Sequence, residues 1–155
     1  PDDWPRVAEI YRLGMETGNA TLEGRCPDWG AWDAAHLKAC RLVAEDEGGG
    51  AIAFAALSAV SARAVYAGVA EVTLYVDPAA KGRGVGTALL FALCRESERE
   101  GFWTLQSSIL QENAASLRVH AKCGFRQVGV RERIGRDARG VWRDTVLMER
   151  RSAAV

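Results

Sequence analysis

The chain contains little of the material that builds metal sites and disulfide frameworks. Its 155 residues include four cysteines and two histidines. His36 and His120 form no ligand pattern with the thiols, which are scattered without a C-x-x-C pair at Cys26, Cys40, Cys94 and Cys123. This spacing predicts no zinc or other metal site, and it predicts four reduced thiols rather than disulfides.

Long apolar runs and an excess of one charge are also missing. No run approaches the roughly 20 apolar residues that cross a bilayer, and the N-terminus lacks a basic segment followed by an apolar one. Twenty Lys and Arg residues balance twenty Asp and Glu residues, so no global field recruits nucleic acid or an anionic membrane. We therefore expect a cytoplasmic protein without nucleic-acid or membrane partners, in which any anion site is local.

The length sets the domain organisation. At 155 residues with 48% hydrophobic content, the chain is long enough for one packed core and short for two. We expect a single domain over residues 1–155. The chain begins without Met and directly at a helix start, so we expect a short N-terminal strand to precede Pro1.

The hydrophobic pattern predicts a mixed α/β fold. The strands are predicted at Leu42–Glu45, Ala51–Leu57, Val69–Val76, Trp103–Ile109, Phe125–Ile134 and Val141–Glu149. The helices are predicted from Asp3 as cap to Gly18, at Ala31–Ala39, at Gly84–Arg99 and from Asn113 to about Cys123. The Gly84–Arg99 helix is expected to bury Val85, Ala88, Leu89, Ala92 and Leu93. Strand, helix and strand from Val69 to Ile109 predict one right-handed crossover with a parallel pair.

The most informative segment is a basic, glycine-rich turn between a predicted strand and a predicted helix. Gly82, Gly84 and Gly86 remove the side chains that would keep an anion away from the backbone. The first N–H groups of the helix and its dipole then favour a phosphate, and Lys81 and Arg83 add positive charge. The alternative is an ordinary connector with two surface cations, although a connector needs one glycine rather than three.

Two familiar phosphate motifs fail on spacing. A dinucleotide fingerprint, G-x-G-x-x-G, would reach Thr87 when counted from Gly82 and Leu89 when counted from Gly84. A nucleoside-triphosphate loop requires a lysine before its hydroxyl residue, and Gly86 stands there instead. The turn therefore predicts a phosphate-bearing ligand of another kind.

The strand before this turn places a carboxylate on a polar face. Because successive side chains alternate, Val72 and Val76 face one side while Glu71, Thr73 and Tyr75 face the other. An acid between Ala70 and Val72 in a central strand is costly unless a cleft uses it. The alternative for Glu71 is a solvated strand residue.

Two motifs carry a resemblance to a known family. The segment Lys81-x-x-Gly84-x-Gly86, after Tyr-Val-Asp-Pro, resembles the acetyl-CoA loop of the GNAT superfamily of N-acetyltransferases. Asn113-Ala-Ala-Ser116 with the following Val119-to-Phe125 segment looks like its second signature. The chain is similar to the phosphinothricin acetyltransferase branch through Ala20–Glu23, Arg63–Tyr66 and Trp142–Asp144. It departs from that branch at Lys81, where Arg or Gln is usual, and at Leu22, where Phe is common.

The resemblance implies a fold and a co-substrate. The implied fold is the GNAT acyl-CoA N-acyltransferase fold, a mostly antiparallel sheet with one parallel strand pair, flanked by helices. The implied co-substrate is acetyl-CoA, without a metal. The implied contacts are Leu74, Tyr75, Val76, Lys81, Gly82, Arg83, Gly84, Val85, Gly86, Thr87, Asn113 and Ser116. Asn113 also has a purely structural explanation, because an Asn three residues before Ser116 caps a helix.

The resemblance also implies catalytic roles. Glu71 would remove a proton from the amine, directly or through a water, because an ammonium has no lone pair for attack. A backbone N–H near Val76 would stabilise the oxyanion. His120 would protonate the leaving thiolate, acting as acid or base, and its alternative is a core histidine that only forms a hydrogen bond.

Finally, the resemblance implies an acceptor and an assembly. Arg63 and Tyr66 align with positions that bind the acidic end of an amino-acid-like substrate, while the alternative for Arg63 is a loop cation. The expected function is direct acetyl transfer to the amine of a small amino acid or toxic analogue, such as phosphinothricin or methionine sulfoximine, by a homodimer. The alternatives are a protein N-terminal or lysine acetyltransferase and a non-catalytic acyl-CoA-binding regulator.

Overall fold

A computed structural model describes all residues from Pro1 to Val155. It contains four α-helices, two short 3-10 helices at Ala64–Tyr66 and Pro78–Ala80, and six strands. The helices are α1 (Trp4–Glu16), α2 (Trp29–Ala35), α3 (Val85–Arg99) and α4 (Ala114–Lys122). The strands are β1 (Leu42–Glu45), β2 (Ala51–Ala59), β3 (Val69–Val76), β4 (Thr104–Leu110), β5 (Arg126–Arg136) and β6 (Trp142–Arg151).

All six strands join one mixed sheet in the order β1-β2-β3-β4-β6-β5. The β3–β4 pair is parallel, and every other pair is antiparallel. The parallel pair follows from the crossover through α3, because parallel strands require a long connection. The predicted mixed α/β fold with one parallel pair is therefore confirmed.

The parallel pair is short, and this opens the sheet. Pairing between β3 and β4 runs only from Val69–Glu71 to Thr104–Gln106. From Val72 to Val76, β3 stays paired with β2 but has no register partner on β4. Because unpaired strand edges present N–H and C=O groups, the sheet has a polar opening in its middle.

Two apolar clusters pack on opposite faces of the sheet. The larger lies between the sheet and the helices α3 and α4, and it includes Leu57, Leu93 and Val146. The smaller packs α1 and α2 against β2, with Ile10, Trp32 and Phe54 buried. The predicted face of α3 was partly wrong: Ala88 and Ala92 are exposed, and the helix instead buries Leu89, Leu90, Leu93, Cys94 and Ser97.

Local capping explains where the first two helices differ from prediction. Asp3 stands at the N-cap of α1, but its side chain makes no capping hydrogen bond. Helix α2 begins two residues before the predicted start because the Asp28 side chain accepts a hydrogen bond of 2.8 Å from Ala31 N–H. It ends at Ala35 because His36 has an extended backbone.

The thiols form no disulfide, and the His, Cys, Asp and Glu side chains form no metal-binding group. All four cysteines are free. No group of three His, Cys, Asp or Glu side chains is placed to hold a metal ion. No helix has the length and apolar character needed to cross a membrane.

Candidate active site

Two cavities meet at the opening of the sheet. The first, of about 700 Å³, is called the glycine-loop cavity and is lined by the turn before α3, by the start of α3 and by α4. The second, of about 640 Å³, is called the Glu71 cavity and is lined by Glu71, Thr73 and side chains of β4, β6 and the 20–36 segment. Both cavities share Ala20, Leu74, Tyr75, Asn113 and Ser116. A ligand that fills both would have its junction at the end of β3.

The turn before α3 has the geometry of an anion site. Gly82 and Gly84 have φ angles of +77° and +78°, which residues with a side chain rarely adopt. Gly84 is the N-cap of α3 and supplies no capping side chain. None of the N–H groups from Gly82 to Thr87 donates to a carbonyl of the surrounding turns. The first turn of α3 therefore presents free donors and the positive end of its dipole to the cavity.

Gly86 contributes in a different way, through close packing. A Cβ atom at Gly86 would lie 3.2 Å from Val76 Cγ2. The glycine therefore lets α3 start directly against the end of β3, so that the free N–H groups and the β3 edge border one cavity.

Eleven of the twelve predicted acetyl-CoA contacts line the glycine-loop cavity: Leu74, Tyr75, Val76, Lys81, Gly82, Gly84, Val85, Gly86, Thr87, Asn113 and Ser116. Arg83 does not line it. Two residues that the sequence reading left out of the site, Arg118 and Lys122, do line it. Their spacing of one helical turn was visible in the sequence, but such a pair usually marks a solvated helix face.

Asn113 has both a structural and a lining position. Its Oδ1 accepts from Ser116 N–H at 3.1 Å and so caps α4, as predicted. Its Nδ2 donates to the Asn19 carbonyl at 3.0 Å, which ties the segment after α1 to the start of α4. The same residue therefore fixes two walls of the junction between the cavities.

A buried arginine, Arg143, also contacts the segment after α1 and the connection that leads into α4. Arg143 is only 7% exposed and donates to Gly18 O at 3.0 Å and Asn19 Oδ1 at 3.1 Å. It also pairs with Glu112 and Asp137 at 3.2 Å each. These contacts join the segment after α1, the β4–α4 connection and the β5–β6 hairpin beside the glycine-loop cavity.

Glu71 lies in its cavity with one oxygen already engaged. Gln106, its register partner on β4, donates from Nε2 to Glu71 Oε2 at 3.0 Å. The side chain is half-buried and lies on the same face as Thr73 and Tyr75, as the alternation predicted. The amide fixes the carboxylate, and Oε1 has no hydrogen bond within the protein.

His120 is 2% exposed and has a defined tautomer. Its Nδ1 lies 2.8 Å from the Ser116 carbonyl, so Nδ1 carries the hydrogen, because a carbonyl can only accept. Burial lowers the pKa of His120 more than this hydrogen bond raises it. The ring is therefore neutral near pH 7, and Nε2 holds a lone pair. In this state Nε2 can accept a proton but has none to give.

His36 is a lining residue that the sequence reading missed. Its Nδ1 donates to the Trp32 carbonyl at 2.8 Å, and its Nε2 accepts from the Thr73 hydroxyl at 3.3 Å. Burial lowers the pKa of His36 as well. In the sequence His36 was a single histidine within the predicted Ala31–Ala39 helix, and no local pattern indicated its contact with Thr73.

Three buried polar atoms point to a ligand in the Glu71 cavity. Trp32 Nε1, His120 Nε2 and Thr145 Oγ1 are the buried side-chain atoms that have no hydrogen-bond partner in the protein. All three residues line the Glu71 cavity. An unpaired buried polar group costs about 1–3 kcal/mol, so their concentration in one cavity favours a polar guest.

The predicted acceptor residues lie elsewhere. Arg63 and Tyr66 are exposed in the connection between β2 and β3, where the Arg63 guanidinium lies 5.3 Å from the Tyr66 ring centroid. Neither residue lines either cavity of this chain. Trp32 lines the Glu71 cavity, whereas Trp29 packs with Trp4 and Trp32 in an aromatic cluster outside it.

The edge of β3 supplies a donor at the junction. The Asp77 N–H donates to the Ile52 carbonyl on β2 at 2.8 Å. Because neighbouring N–H groups of an extended chain point in opposite directions, the Val76 N–H points toward the opening. A carbonyl oxygen placed between the cavities would meet this donor.

Comparisons with known proteins agree with this geometry. The family model of the acetyltransferase (GNAT) family matches residues 4–125. The phosphinothricin N-acetyltransferase of Alcaligenes faecalis is 36% identical, over 96% of this chain and 78% of the relative. An L-methionine sulfoximine/L-methionine sulfone acetyltransferase of Pseudomonas paraeruginosa is 30% identical, over 70% of this chain and 62% of the relative.

Solved structures give the same result. The phosphinothricin acetyltransferase of Sinorhizobium meliloti, in complex with acetyl-CoA, superposes with a TM-score of 0.85 at 30% identity, over 97% of this chain and 83% of that one. A ribosomal-protein-alanine N-acetyltransferase of Brucella melitensis superposes with a TM-score of 0.87 at 26% identity, over 97% and 95%. The chain therefore belongs to the acetyltransferase (GNAT) family and is an acetyl-CoA-dependent N-acetyltransferase.

Proposed function

We propose that this enzyme transfers the acetyl group of acetyl-CoA directly to the primary amine of a small amino acid or a toxic analogue of one. The observation that carries the proposal is the meeting of the two cavities at Leu74 and Tyr75. One cavity presents free backbone donors that suit a diphosphate, and the other presents Glu71 and unpaired polar atoms that suit a small polar amine. Acetyl-CoA supplies an activated thioester, and the protein positions it.

Two protons must leave the acceptor during the reaction. An ammonium has three hydrogens on nitrogen, and the amide product has one. Glu71 takes the first proton, directly or through a water, and frees the lone pair that attacks the carbonyl carbon. Gln106 holds the carboxylate toward the cavity through its 3.0 Å hydrogen bond.

His120 takes the second proton as the C–N bond forms. Its unpaired Nε2 is the acceptor, and the imidazolium formed then returns the proton to the sulfur as the C–S bond breaks. The predicted role of acid thus becomes a role of acceptor followed by donor, because the resting tautomer has no hydrogen on Nε2. The Val76 N–H meets the negative charge that develops on the carbonyl oxygen.

Steady-state kinetics of Glu71→Gln test this proposal. We expect kcat at pH 7 to fall by about 10²- to 10⁴-fold, which is the usual contribution of a general base. The loss should shrink at high pH, where free amine is abundant. The measurement is thiol release with a panel of amino acids that includes phosphinothricin and methionine sulfoximine.

The matched control is Glu47→Gln, which removes an exposed carboxylate from the β1–β2 turn and should leave activity unchanged. Full activity of Glu71→Gln at pH 7 would reject the assignment of the base. Acetyl-CoA binding without thiol release on any amine would instead favour the non-catalytic regulator.

The names of the relatives support a small acceptor, since phosphinothricin and L-methionine sulfoximine are amino-acid analogues. One observation favours a second candidate, because the Brucella enzyme with the same fold is named for acetylating a ribosomal protein. Adding a peptide with an N-terminal alanine to the panel separates the two. A kcat/KM for the peptide above that for every amino acid would replace our proposal.

We also propose a homodimer in the cytoplasm. The β5–β6 hairpin supports a second copy, because it exposes large hydrophobic residues at Val128, Val130, Ile134, Val141 and Trp142. In such a dimer Arg63 and Tyr66, which lie outside both cavities of their own chain, remain predicted acceptor contacts. Light scattering should give twice the chain mass of 16.8 kDa.

A further inference from the structure

The Glu71 cavity contains two arginines, and neither is the one that the sequence reading proposed. Arg25 and Arg131 line it together with two carboxylates, Glu23 and Glu71. Arg63 does not line it. A guanidinium binds a carboxylate through two parallel charge-assisted hydrogen bonds, so one of these two arginines is the candidate within this chain.

A bulge in β5 begins directly after Arg131 and brings Ile134 to the cavity that Arg131 lines. In a regular strand, residues 131 and 134 would face opposite sides, because they are three positions apart. The register between β5 and β6 shifts between Arg131 and Gly135, and both Arg131 and Ile134 line the Glu71 cavity. Within the bulge, Arg133 has a φ of +49° and its N–H donates to Asp144 Oδ1 at 2.8 Å. Bulges of this kind re-aim side chains next to active sites.

The register partner of Arg131 on β6 is Thr145. Directly opposed residues have Cβ atoms about 4.5–5.5 Å apart, so both side chains can contact one small group. Thr145 is 6% exposed, and its Oγ1 is one of the three unpaired buried side-chain atoms. Arg25 and Arg131 are both exposed, but Arg25, in the 20–28 connection, has no such partner.

This pair lies close to the junction of the cavities. Thr145 is the register partner of Leu110 on β4, and the Leu110 carbonyl accepts from Asn113 N–H at 2.8 Å. Asn113 lines both cavities. An α-carboxylate is two bonds from the α-amine, so it must bind near the place where the amine meets the thioester.

We propose that Arg131 and the Thr145 hydroxyl bind the α-carboxylate of the acceptor and so select amino acids over simple amines. This inference rests on the proposed function, and it assigns the recognition of the acid to residues other than Arg63. The guanidinium forks onto the two carboxylate oxygens, and the hydroxyl donates to one of them.

The test compares two acceptors that differ only in the carboxylate, L-methionine sulfone and 3-(methylsulfonyl)propylamine. For Arg131→Gln we expect kcat/KM with the amino acid to fall by about 10- to 100-fold, and for Thr145→Val by about 5-fold. The simple amine should be used equally well by both variants and the wild type. Arg95→Gln removes an exposed arginine of α3 that lines neither cavity, so it is the matched control and should leave the ratio of the two acceptors unchanged. Arg63→Gln is measured beside it as the competing assignment.

Calorimetry keeps the test independent of the chemistry. Acetyl-CoA affinity should stay unchanged in all four variants, which also reports that they fold. L-Methionine sulfone should bind the wild type more tightly than Arg131→Gln, even if no thiol is released and the proposed function fails. An unchanged acceptor ratio and affinity in Arg131→Gln, or a loss found in Arg63→Gln instead, would overturn the proposal.

Discussion

The glycine-loop cavity offers its ligand mainly backbone groups, whereas the Glu71 cavity offers mainly side chains. The first presents the free N–H groups from Gly82 to Thr87, which any sequence with the right turn can present. The second presents the carboxylate of Glu71 and the unpaired polar atoms of Trp32, His120 and Thr145. The difference indicates which half of the site is constant: the backbone half suits one invariant co-substrate.

The side-chain half can change without disturbing the other. A substitution at Arg131 or Thr145 alters the Glu71 cavity alone, because neither residue lines the glycine-loop cavity. A shared fold therefore fixes acetyl-CoA chemistry and leaves the acceptor to a few positions.

The largest effect is expected from Gly84→Val. A β-branched residue at a φ of +78° is strained by roughly 1–2 kcal/mol, so the turn will leave its present geometry. At least two backbone contacts to phosphate are then lost, each worth about 1.5–3 kcal/mol. Acetyl-CoA affinity should fall by about 100-fold or more, measured by calorimetry.

Gly49→Val is the matched control for this strain. Gly49 has a φ of +80° in the β1–β2 turn, and a Cβ there would also meet nothing within 4 Å. Both variants should lose similar thermal stability, but Gly49→Val should bind acetyl-CoA normally. Equal affinity in the two variants would mean that the backbone of the turn does not hold the co-substrate.

The difference between the two cavities also explains how much of the site could be predicted from the sequence. The glycine-loop cavity depends on a contiguous segment and on Asn113 with Ser116, whose spacing carries the helix cap. Contiguous spacing survives in a sequence, so nearly all these positions were placed in one cavity by the structure. Arg83 was the exception, because charge and proximity do not tell which way an exposed side chain points.

The Glu71 cavity could not be assembled in this way. His36, Ser108, Arg131 and Thr145 line it from four separate segments, and only the tertiary fold brings them together. The bulge after Arg131 contains a hydrogen bond from the Arg133 N–H to Asp144 Oδ1, and no local sequence pattern predicts that contact. Even the buried face of α3 was misjudged at Ala88 and Ala92, because small apolar residues fit an exposed surface as well as a core.

His120 in the Glu71 cavity and Asp137, which pairs with Arg143 beside the glycine-loop cavity, should reduce the stability of the fold in different pH ranges. Burial lowers the pKa of His120 below its usual 6.5, so protonation favours the unfolded chain. Its contribution is complete above about pH 6.5 and is lost as the pH falls toward the folded pKa. For Asp137, burial acts to raise the pKa, but hydrogen bonds from Val141 and Arg139 N–H and pairing with Arg139 and Arg143 lower it to about 2. That contribution is complete above about pH 3.8 and is lost toward about pH 2.

Thermal unfolding from pH 8 to pH 2 checks both ranges. His120→Asn should flatten the fall in Tm just below pH 6.5 and leave the acid range unchanged. Asp137→Asn keeps an oxygen for the Val141 and Arg139 N–H groups but removes the charge beside Arg143. It should lower Tm at pH 7 and flatten the curve below pH 4. A Tm curve that Asp137→Asn does not flatten would contradict the proposed acid lability of the Arg143 network.

The smallest effect is expected from the two cations of the turn, and it tests whether side-chain charge contributes to acetyl-CoA binding beside the backbone N–H groups. Lys81→Ala and Arg83→Ala remove the same charge two positions apart, so any long-range field changes equally in both variants. Lys81 lines the glycine-loop cavity and Arg83 does not. Lys81→Ala should therefore weaken acetyl-CoA binding by about 3- to 10-fold, the worth of one exposed charge near a phosphate, and Arg83→Ala by less than about 2-fold. Since exposed charges are screened, the gap between the variants should close as salt is raised in the calorimetry. Equal losses would show that the turn attracts the co-substrate by its overall charge, and the division between backbone and side chain would then hold only for Gly82 to Thr87.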